Sequence, residues 1–333
     1  MGGCYGLIVS PVAFLRSLAV LSVVLIACSG ESTPPPTNPL DDRGGATLAE
    51  QAQSAFFAAY PRYTDEENGI RTVLGTPDLG VGTQRVGFVL SDELGLVRLP
   101  VVRVTSYFLP GGEAGERVGP AQEMMARFFE FPYGVRGIYS AEFTFDRPGD
   151  WQLEVRLPQP DGGMVTTAFA FPVAEQTRAP SVGDDAPRSE SRTADDVESL
   201  AELTTGSQPD AALYRTSIVQ ALDAGRPFVV VFASPAFCTN ALCGPQVEVL
   251  SGLAAIYGDR ADFIHVDLYE NPHEIKGDLD RAVRTPLLLE WGLETDEWTF
   301  LVDAQGRVAA RFEAFATRAE LEAAVVAMLD GGD

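Results

Sequence analysis

Basic residues are scarce in this sequence of 333 residues. It has 24 lysine and arginine residues against 47 aspartate and glutamate residues, a net charge of −23, and Lys276 is its single lysine. So acidic a chain is repelled by phosphate backbones and by anionic lipid surfaces. The composition therefore argues against nucleic acid as a partner, and an attachment to a membrane would have to be covalent.

Long apolar runs are lacking as well. Residues 17–27, which follow Arg16, are uncharged and largely apolar, but a bilayer-spanning helix needs about 20 such residues. A run of this length is typical of a signal peptide. Residues 25–28, Leu-Ile-Ala-Cys, resemble the lipobox of bacterial lipoproteins. The resemblance implies a signal peptide over residues 1–27, a lipid on Cys28 and an extracytoplasmic protein anchored to the cell membrane. The alternative is an uncleaved anchor, since residues 5–27 contain one charge.

Cysteine is the third scarce residue, with four in the chain. Cys4 would leave with the signal peptide and Cys28 would carry the lipid, so Cys238 and Cys243 would remain as thiols. Two cysteines five positions apart in an oxidising compartment are expected to form a disulfide at least part of the time. One such bond is too little to hold together a scaffold of this size.

The length favours two domains over a single core. Residues 28–67 contain a proline-rich stretch and are predicted to be an extended tether, with a short helix near residues 55–60. Residues 175–196 are polar, charged and free of aromatics, and they are predicted to link two domains, residues 68–174 and residues 197–333.

Alternating apolar and polar residues predict a β-domain over residues 68–174. The clearest runs are residues 141–145 and 151–157, which we interpret as two arms of a hairpin around Pro148-Gly149. About seven short strands in such a segment predict a sandwich. Residues 137–155 also resemble small Ig-like accessory domains of bacterial envelope proteins. Met124 and Met125 are adjacent and would point to opposite faces of a strand, so packing is favoured over copper binding.

Residues 197–333 alternate between predicted strands and helices. Strands are predicted at residues 228–233, 263–267 and 298–303, the last with a hairpin partner at 307–312. Helices are predicted over residues 217–224, 245–257, from 286 onward, and from Thr317 to Leu329 behind a capping box with Glu320. This order resembles the thioredoxin superfamily. The expected fold class is therefore an N-terminal all-β Ig-like sandwich followed by a C-terminal α/β thioredoxin-like domain.

The segment from Phe228 to Pro245 resembles the active-site turn of that superfamily, with four residues between the cysteines instead of two. A helix N-terminus favours the thiolate form of a nearby cysteine. The resemblance implies that Cys238 attacks and Cys243 resolves during disulfide exchange with extracytoplasmic protein thiols, with no cofactor beyond the disulfide. Five residues on one regular helix would leave the two side chains about 140° apart. Cys238 is therefore expected in the loop, with the helix beginning near Cys243 or Pro245.

Glu297 stands where the superfamily has a cis-proline that shapes the substrate groove. A cis bond before a non-proline residue costs about 2.5–4 kcal/mol, so the bond before Glu297 is expected to be trans. A carboxylate there would raise the pKa of the Cys238 thiol and slow the chemistry.

Two other functions remain open at this point. The disulfide could be structural, in a non-catalytic binding module. Alternatively, Cys238, Cys243 and His273 could hold copper, as in copper chaperones, whereas His265 is expected to be packed within the fold. A reduction potential separates the first alternative from exchange, because structural disulfides fall below about −300 mV.

Overall fold

The structure, a computed structural model, describes residues 60–112, 115–131, 136–159, 162–237 and 243–331. The expected signal peptide, Cys28, the tether before residue 60 and Cys238 lie outside these residues, as does the predicted helix apart from Tyr60. Within the described ranges, no helix is long and apolar enough to cross a membrane. All of these residues belong to one compact unit of the chain.

The first nine strands form one sheet in the order β1-β2-β3-β7-β6-β5-β8-β9, with β4 paired to β3 at the side. All pairs in it are antiparallel. The strands are β1 (Arg62–Asp65), β2 (Ile70–Leu74), β3 (Gly82–Asp92), β4 (Gly95–Leu96), β5 (Val101–Leu109), β6 (Val118–Glu130), β7 (Gly137–Phe145), β8 (Gly149–Pro158) and β9 (Met164–Val173).

This sheet curls until its two end strands meet. In the turn after β1, the Asn68 side-chain amide donates to the Thr166 carbonyl oxygen of β9, with 3.2 Å between the atoms. The rings of Tyr63 and Phe169 are 5.5 Å apart. The side chains that alternate inward, such as Phe143 and Leu153, fill the interior and are completely buried. The sheet is therefore nearly closed, like a barrel with a packed interior.

The remaining strands form a smaller sheet in the order β11-β10-β12-β13, in which β10 and β11 are parallel and the other pairs antiparallel. Its strands are β10 (Phe228–Phe232), β11 (Asp262–Val266), β12 (Trp298–Val302) and β13 (Val308–Glu313). The α-helices around it are α1 (Ile218–Asp223), α2 (Cys243–Tyr257), α3 (Pro272–Ile275), α4 (Leu287–Glu290) and α5 (Arg318–Asp330). Short 3-10 helices cover Ala194–Asp196, Leu200–Glu202, Ala211–Tyr214 and Leu279–Arg281.

The local sequence accounts for several of these elements. Strand β10 reads Phe-Val-Val-Val-Phe and is buried throughout, because both faces of the small sheet are covered and neither needs polar residues. The Thr317 hydroxyl accepts from the Glu320 N–H, and the Glu320 carboxylate accepts from the Thr317 N–H. The predicted capping box at the start of α5 is thus confirmed.

The two sheets are joined by partly buried polar contacts and an aromatic pair. Arg311 on β13 donates to the Asp78 carboxylate at 2.8 Å and also to the Ala179 carbonyl oxygen at 3.0 Å. Arg85 on β3 donates to the Phe315 carbonyl oxygen at 2.9 Å. The Phe315 ring lies edge-on to Phe131, with 5.0 Å between the ring centroids.

The fold class predicted from the sequence is wrong. The described chain is mainly β, and β1 to β9 form one nearly closed sheet instead of the two facing sheets of an Ig-like sandwich. The hairpin predicted around Pro148-Gly149 is also wrong, because β7 pairs with β3 and β6 while β8 pairs with β5 and β9. Alternation shows that a strand has one buried face, but it does not show which strand lies beside it. Strand β1 lies within the segment predicted as a tether, and β2 is a strand that was not predicted; together they extend the sheet until it meets β9.

The thioredoxin-like assignment of residues 197–333 is wrong as well. The β10–β13 sheet shares one compact unit with the barrel-like sheet, and of its helices only α2 and α5 exceed six residues. A succession of apolar strands and helices is a local pattern that is compatible with more than one overall fold.

The segment predicted as a linker, residues 175–196, packs against the smaller sheet. Ala179 and Ala186 are buried in the same apolar cluster as Phe228 and Trp291. The Ser189 hydroxyl accepts from the Trp291 indole N–H at 3.0 Å. Small and polar side chains in this segment therefore contribute to the core of the C-terminal part.

Candidate functional site

Cys243 is the first residue of α2 and is completely buried. It is disulfide-bonded, and the other three cysteines of the chain lie outside the described residues. Its sulfur lies 3.8 Å from the Asp296 carbonyl oxygen. Pro245 follows in the first turn of the helix, where its missing N–H costs nothing. The sulfur of Cys243 thus lies at the positive end of a helix and against the backbone that leads into β12.

Glu297, predicted from the sequence as a site residue, adjoins the backbone that Cys243 contacts. Its side chain is completely buried, and neither carboxylate oxygen has a hydrogen-bond partner among the described residues. Burial raises the pKa of Glu297 to about 8, with a further increase from the Asp296 charge and an opposing effect of Arg85. The peptide bond before it is trans, since among the described residues Gly119–Pro120 is the one cis bond. Glu297 is therefore mostly protonated at neutral pH, whereas the expected brake on the chemistry would require its charged form.

Two further polar side chains occupy the cysteine side of the sheet. Glu297, Thr299 and Leu301 alternate along the chain and so face the same way, and Leu301 packs in one cluster with Cys243. Within the described part of the chain, the Thr299 hydroxyl has no hydrogen-bond partner, nor does the side-chain nitrogen of Gln246, three residues after Cys243 in α2. The oxygen of that Gln246 amide accepts from the Ala316 N–H at 2.9 Å. No local sequence pattern indicated these buried polar groups, since β12 and α2 are distant in the chain.

A charged pair and two aromatic rings flank the site. The Asp296 carboxylate accepts from Arg284 at 3.0 Å, and burial raises the pKa of Asp296 while Arg284 opposes the increase. The Arg284 guanidinium lies 6.0 Å from the centre of the Tyr269 ring. That ring is 6.4 Å from Phe237, the last described residue before Cys238.

A second polar cluster supports the turn that follows β10. The Asp267 carboxylate accepts from the Thr205 N–H at 2.7 Å and from the Thr205 hydroxyl at 2.9 Å. The Thr205 hydroxyl in turn accepts from the Ala236 N–H at 3.1 Å. Burial raises the pKa of Asp267 to about 6, although its hydrogen bonds to Thr205 and Tyr269 lower it. Sequence reasoning missed both Thr205 and Asp267. A polar residue directly after the apolar strand β11 was the available signal.

The two histidines of the chain differ in burial. His265 is buried, and its ring nitrogens lie 2.7 Å from the Tyr214 hydroxyl and 2.9 Å from the Ala233 carbonyl oxygen. Burial lowers the pKa of His265 to about 4. His273 is in α3, where its side chain is 42% exposed and lies 4.0 Å from Glu274. In the described ranges, no group of three or more histidine, cysteine or acidic side chains is arranged to hold a metal ion.

Comparisons with known proteins are sparse. No protein-family model matches this sequence, and no curated protein matches it. Among solved structures, FetP of uropathogenic Escherichia coli strain F11, expressed in the periplasm, is 11% identical with a TM-score of 0.23, over 35% of this chain and 94% of FetP. A DUF4426 family protein of Pseudomonas aeruginosa PAO1 is 8% identical with a TM-score of 0.24, over 36% of this chain and 98% of that protein. A copper-bound FetP variant is 10% identical with a TM-score of 0.21, over 34% and 93% of the two chains. At such low TM-scores these likenesses assign neither fold nor function, and none of them supports a thioredoxin-like assignment.

Proposed function

We propose that this protein carries out thiol–disulfide exchange outside the cytoplasm through Cys238 and Cys243, held at the membrane by a lipid on Cys28. The observation that carries the proposal is the disulfide-bonded, buried Cys243 at the start of α2. The leader over residues 1–27 and its lipobox-like end support the location. The partners would be protein thiols and disulfides of the same compartment.

The reaction would proceed in two exchanges. A thiolate of a partner dithiol attacks the Cys238 sulfur, the bond between Cys238 and Cys243 breaks, and Cys243 leaves as a thiolate. The helix N-terminus stabilises that leaving thiolate. The second thiolate of the partner then attacks the partner sulfur that is bonded to Cys238. This step releases Cys238 as a thiolate. The partner is oxidised by two electrons, and the cysteine pair is reduced and takes up two protons.

The buried acid Glu297 suits this chemistry better in its neutral than in its charged form. A charged carboxylate near the sulfurs would disfavour both thiolates, whereas the pKa of about 8 keeps Glu297 mostly protonated at neutral pH. In disulfide exchange, the attacked sulfur has to be accessible to the incoming thiolate. The buried Cys243 therefore suits the role of the leaving thiol.

The test compares two single-cysteine variants in the reduced state. The exchange is reversible, and in the reduced protein Cys238 attacks a partner disulfide while Cys243 resolves the mixed disulfide. Cys243→Ser should therefore trap mixed disulfides with partner proteins, because the resolving thiol is gone. The matched variant Cys238→Ser keeps the buried Cys243, which should react slowly with iodoacetamide and trap none.

The reduction potential of the native protein provides the second measurement. A value well above about −300 mV supports exchange. A lower value, together with no trapped partner, would identify the bond as a structural disulfide in a binding module. Full burial of Cys243 is the observation in favour of that second candidate.

A further inference from the structure

The turn between β10 and Cys238 is held by a side chain distant in sequence. Its described residues run from Ser234 to Phe237, and the Phe237 N–H donates to the Ser234 carbonyl oxygen at 3.2 Å. Thr205, about thirty positions earlier in the chain, places its hydroxyl oxygen 3.0 Å from the Ser234 hydroxyl and 3.1 Å from the Ala236 nitrogen. One hydroxyl thus contacts both the first and the third residue of the turn.

Asp267 fixes the orientation of that hydroxyl. Its carboxylate lies directly after β11, is 4% exposed, and accepts from both the N–H and the hydroxyl of Thr205. A hydroxyl has one proton, and here that proton is directed to Asp267. A lone pair is therefore left for the Ala236 N–H, and the Ser234 hydroxyl lies 3.0 Å from the same oxygen. Hydrogen bonds to an ionised acceptor are about twice as strong as neutral ones. The Asp267 carboxylate therefore holds the Thr205 hydroxyl firmly in this orientation.

We propose that Thr205, oriented by Asp267, is a positioning residue that fixes the Ser234–Phe237 turn, which precedes Cys238 in the chain, and thereby supports exchange at the cysteine pair. The inference rests on the proposed exchange at the cysteine pair. A chain of hydrogen bonds runs from the Asp267 carboxylate, at the end of β11, through the Thr205 hydroxyl to the backbone of the turn. Thr205 would touch neither partner nor sulfur, so its effect on the reaction would be indirect.

Thr205→Val tests the proposal in the full chain, because valine keeps the shape and loses the hydroxyl. We expect the rate of disulfide exchange with a small dithiol, dithiothreitol, to fall at least about tenfold, since misplacing a reacting group by about 1 Å can cost a hundredfold. The reduction potential should shift as well. Thr205→Ser restores the hydroxyl and should bring both values back to those of the native protein. The matched control is Thr204→Val, whose hydroxyl accepts from the Gly206 N–H at 3.0 Å.

The outcomes separate this inference from the proposed function. An active native protein with unchanged rate and potential in Thr205→Val overturns the positioning role and leaves exchange intact. If the native potential lies below about −300 mV and no partner is trapped, the proposed function fails, and the change in potential alone decides. A shift in Thr205→Val that Thr205→Ser reverses then supports the positioning role, and no shift overturns it. If Thr205→Val does not fold, Thr205→Ala is measured against Thr204→Ala with the same criteria.

Discussion

Replacing Glu297 by glutamine should change how the stability of the protein depends on pH. The side chain is buried, and neither of its oxygens has a hydrogen-bond partner in the part of the chain that the structure describes. Its pKa is raised from 4.5 to about 8 in the folded protein. Each pH unit between two such values corresponds to 1.36 kcal/mol. Ionisation of Glu297 at alkaline pH therefore lowers the free energy of unfolding by at most about 5 kcal/mol, a large part of its typical value.

The direction of the effect follows from proton binding. Between about pH 4.5 and pH 8 the folded protein holds a proton on Glu297 that the unfolded chain has released. The stability associated with the neutral acid is fully present below pH 4.5 and is lost as the pH rises through 8. Glutamine cannot ionise, so Glu297→Gln should match the native protein at acidic pH and exceed it increasingly toward pH 8.

Urea denaturation at pH 5, 6, 7 and 8, with the disulfide intact, measures this difference. Glu313 also has a pKa raised to about 8 by burial, so both proteins keep a pH slope, and only their difference reports on Glu297. The matched control is Glu142→Gln on an exposed position of β7, which should leave the profile unchanged. Parallel profiles for Glu297→Gln and the native protein would refute the assignment of a neutral buried acid.

Three other variants test the anchor and the packing. Cys28→Ser should release the protein from membranes or leave the precursor unprocessed, as checked by membrane fractionation and intact mass. Ser189→Ala removes the acceptor of the buried Trp291 indole N–H and should lower the unfolding free energy by about 1–3 kcal/mol. Arg311→Met leaves the mostly buried Asp78 carboxylate without its cation and should cost about 3–5 kcal/mol in the same denaturation experiment.

Each of these variants has a control of the same kind. Cys4→Ser should remain at the membrane, because that residue leaves with the signal peptide; its release would contradict lipid attachment at Cys28. Ser207→Ala at an exposed bend should stay within about 0.5 kcal/mol of the native protein. Arg103→Met breaks an ion pair with Glu123 whose side chains are half exposed, and should cost at most about 1 kcal/mol. Equal losses for Arg103 and Arg311 would mean that burial of the Asp78 pair is not what stabilises it.

The sequence by itself determined the local elements of this protein. The alternation at residues 151–157 placed Trp151, Leu153 and Val155 on one buried face, and all three are in the interior of the barrel-like sheet. The uninterrupted apolar run at β10 indicated a strand covered on both faces. Thr317 and Glu320 marked the start of the last helix. These patterns hold because a strand or a helix end is decided by neighbours within a few residues.

Pairing, closure and burial were decided only by the tertiary structure. Strands β7 and β8 are consecutive in the chain yet are separated in the sheet by β6 and β5, since pairing depends on segments far apart in sequence. Glu297 is a neutral acid because it is buried in the folded protein, and the residues next to it in the sequence do not determine that burial. Thr205 and Asp267 meet across 62 positions. Such contacts exist only once the chain is packed, because burial and distance are properties of the folded molecule.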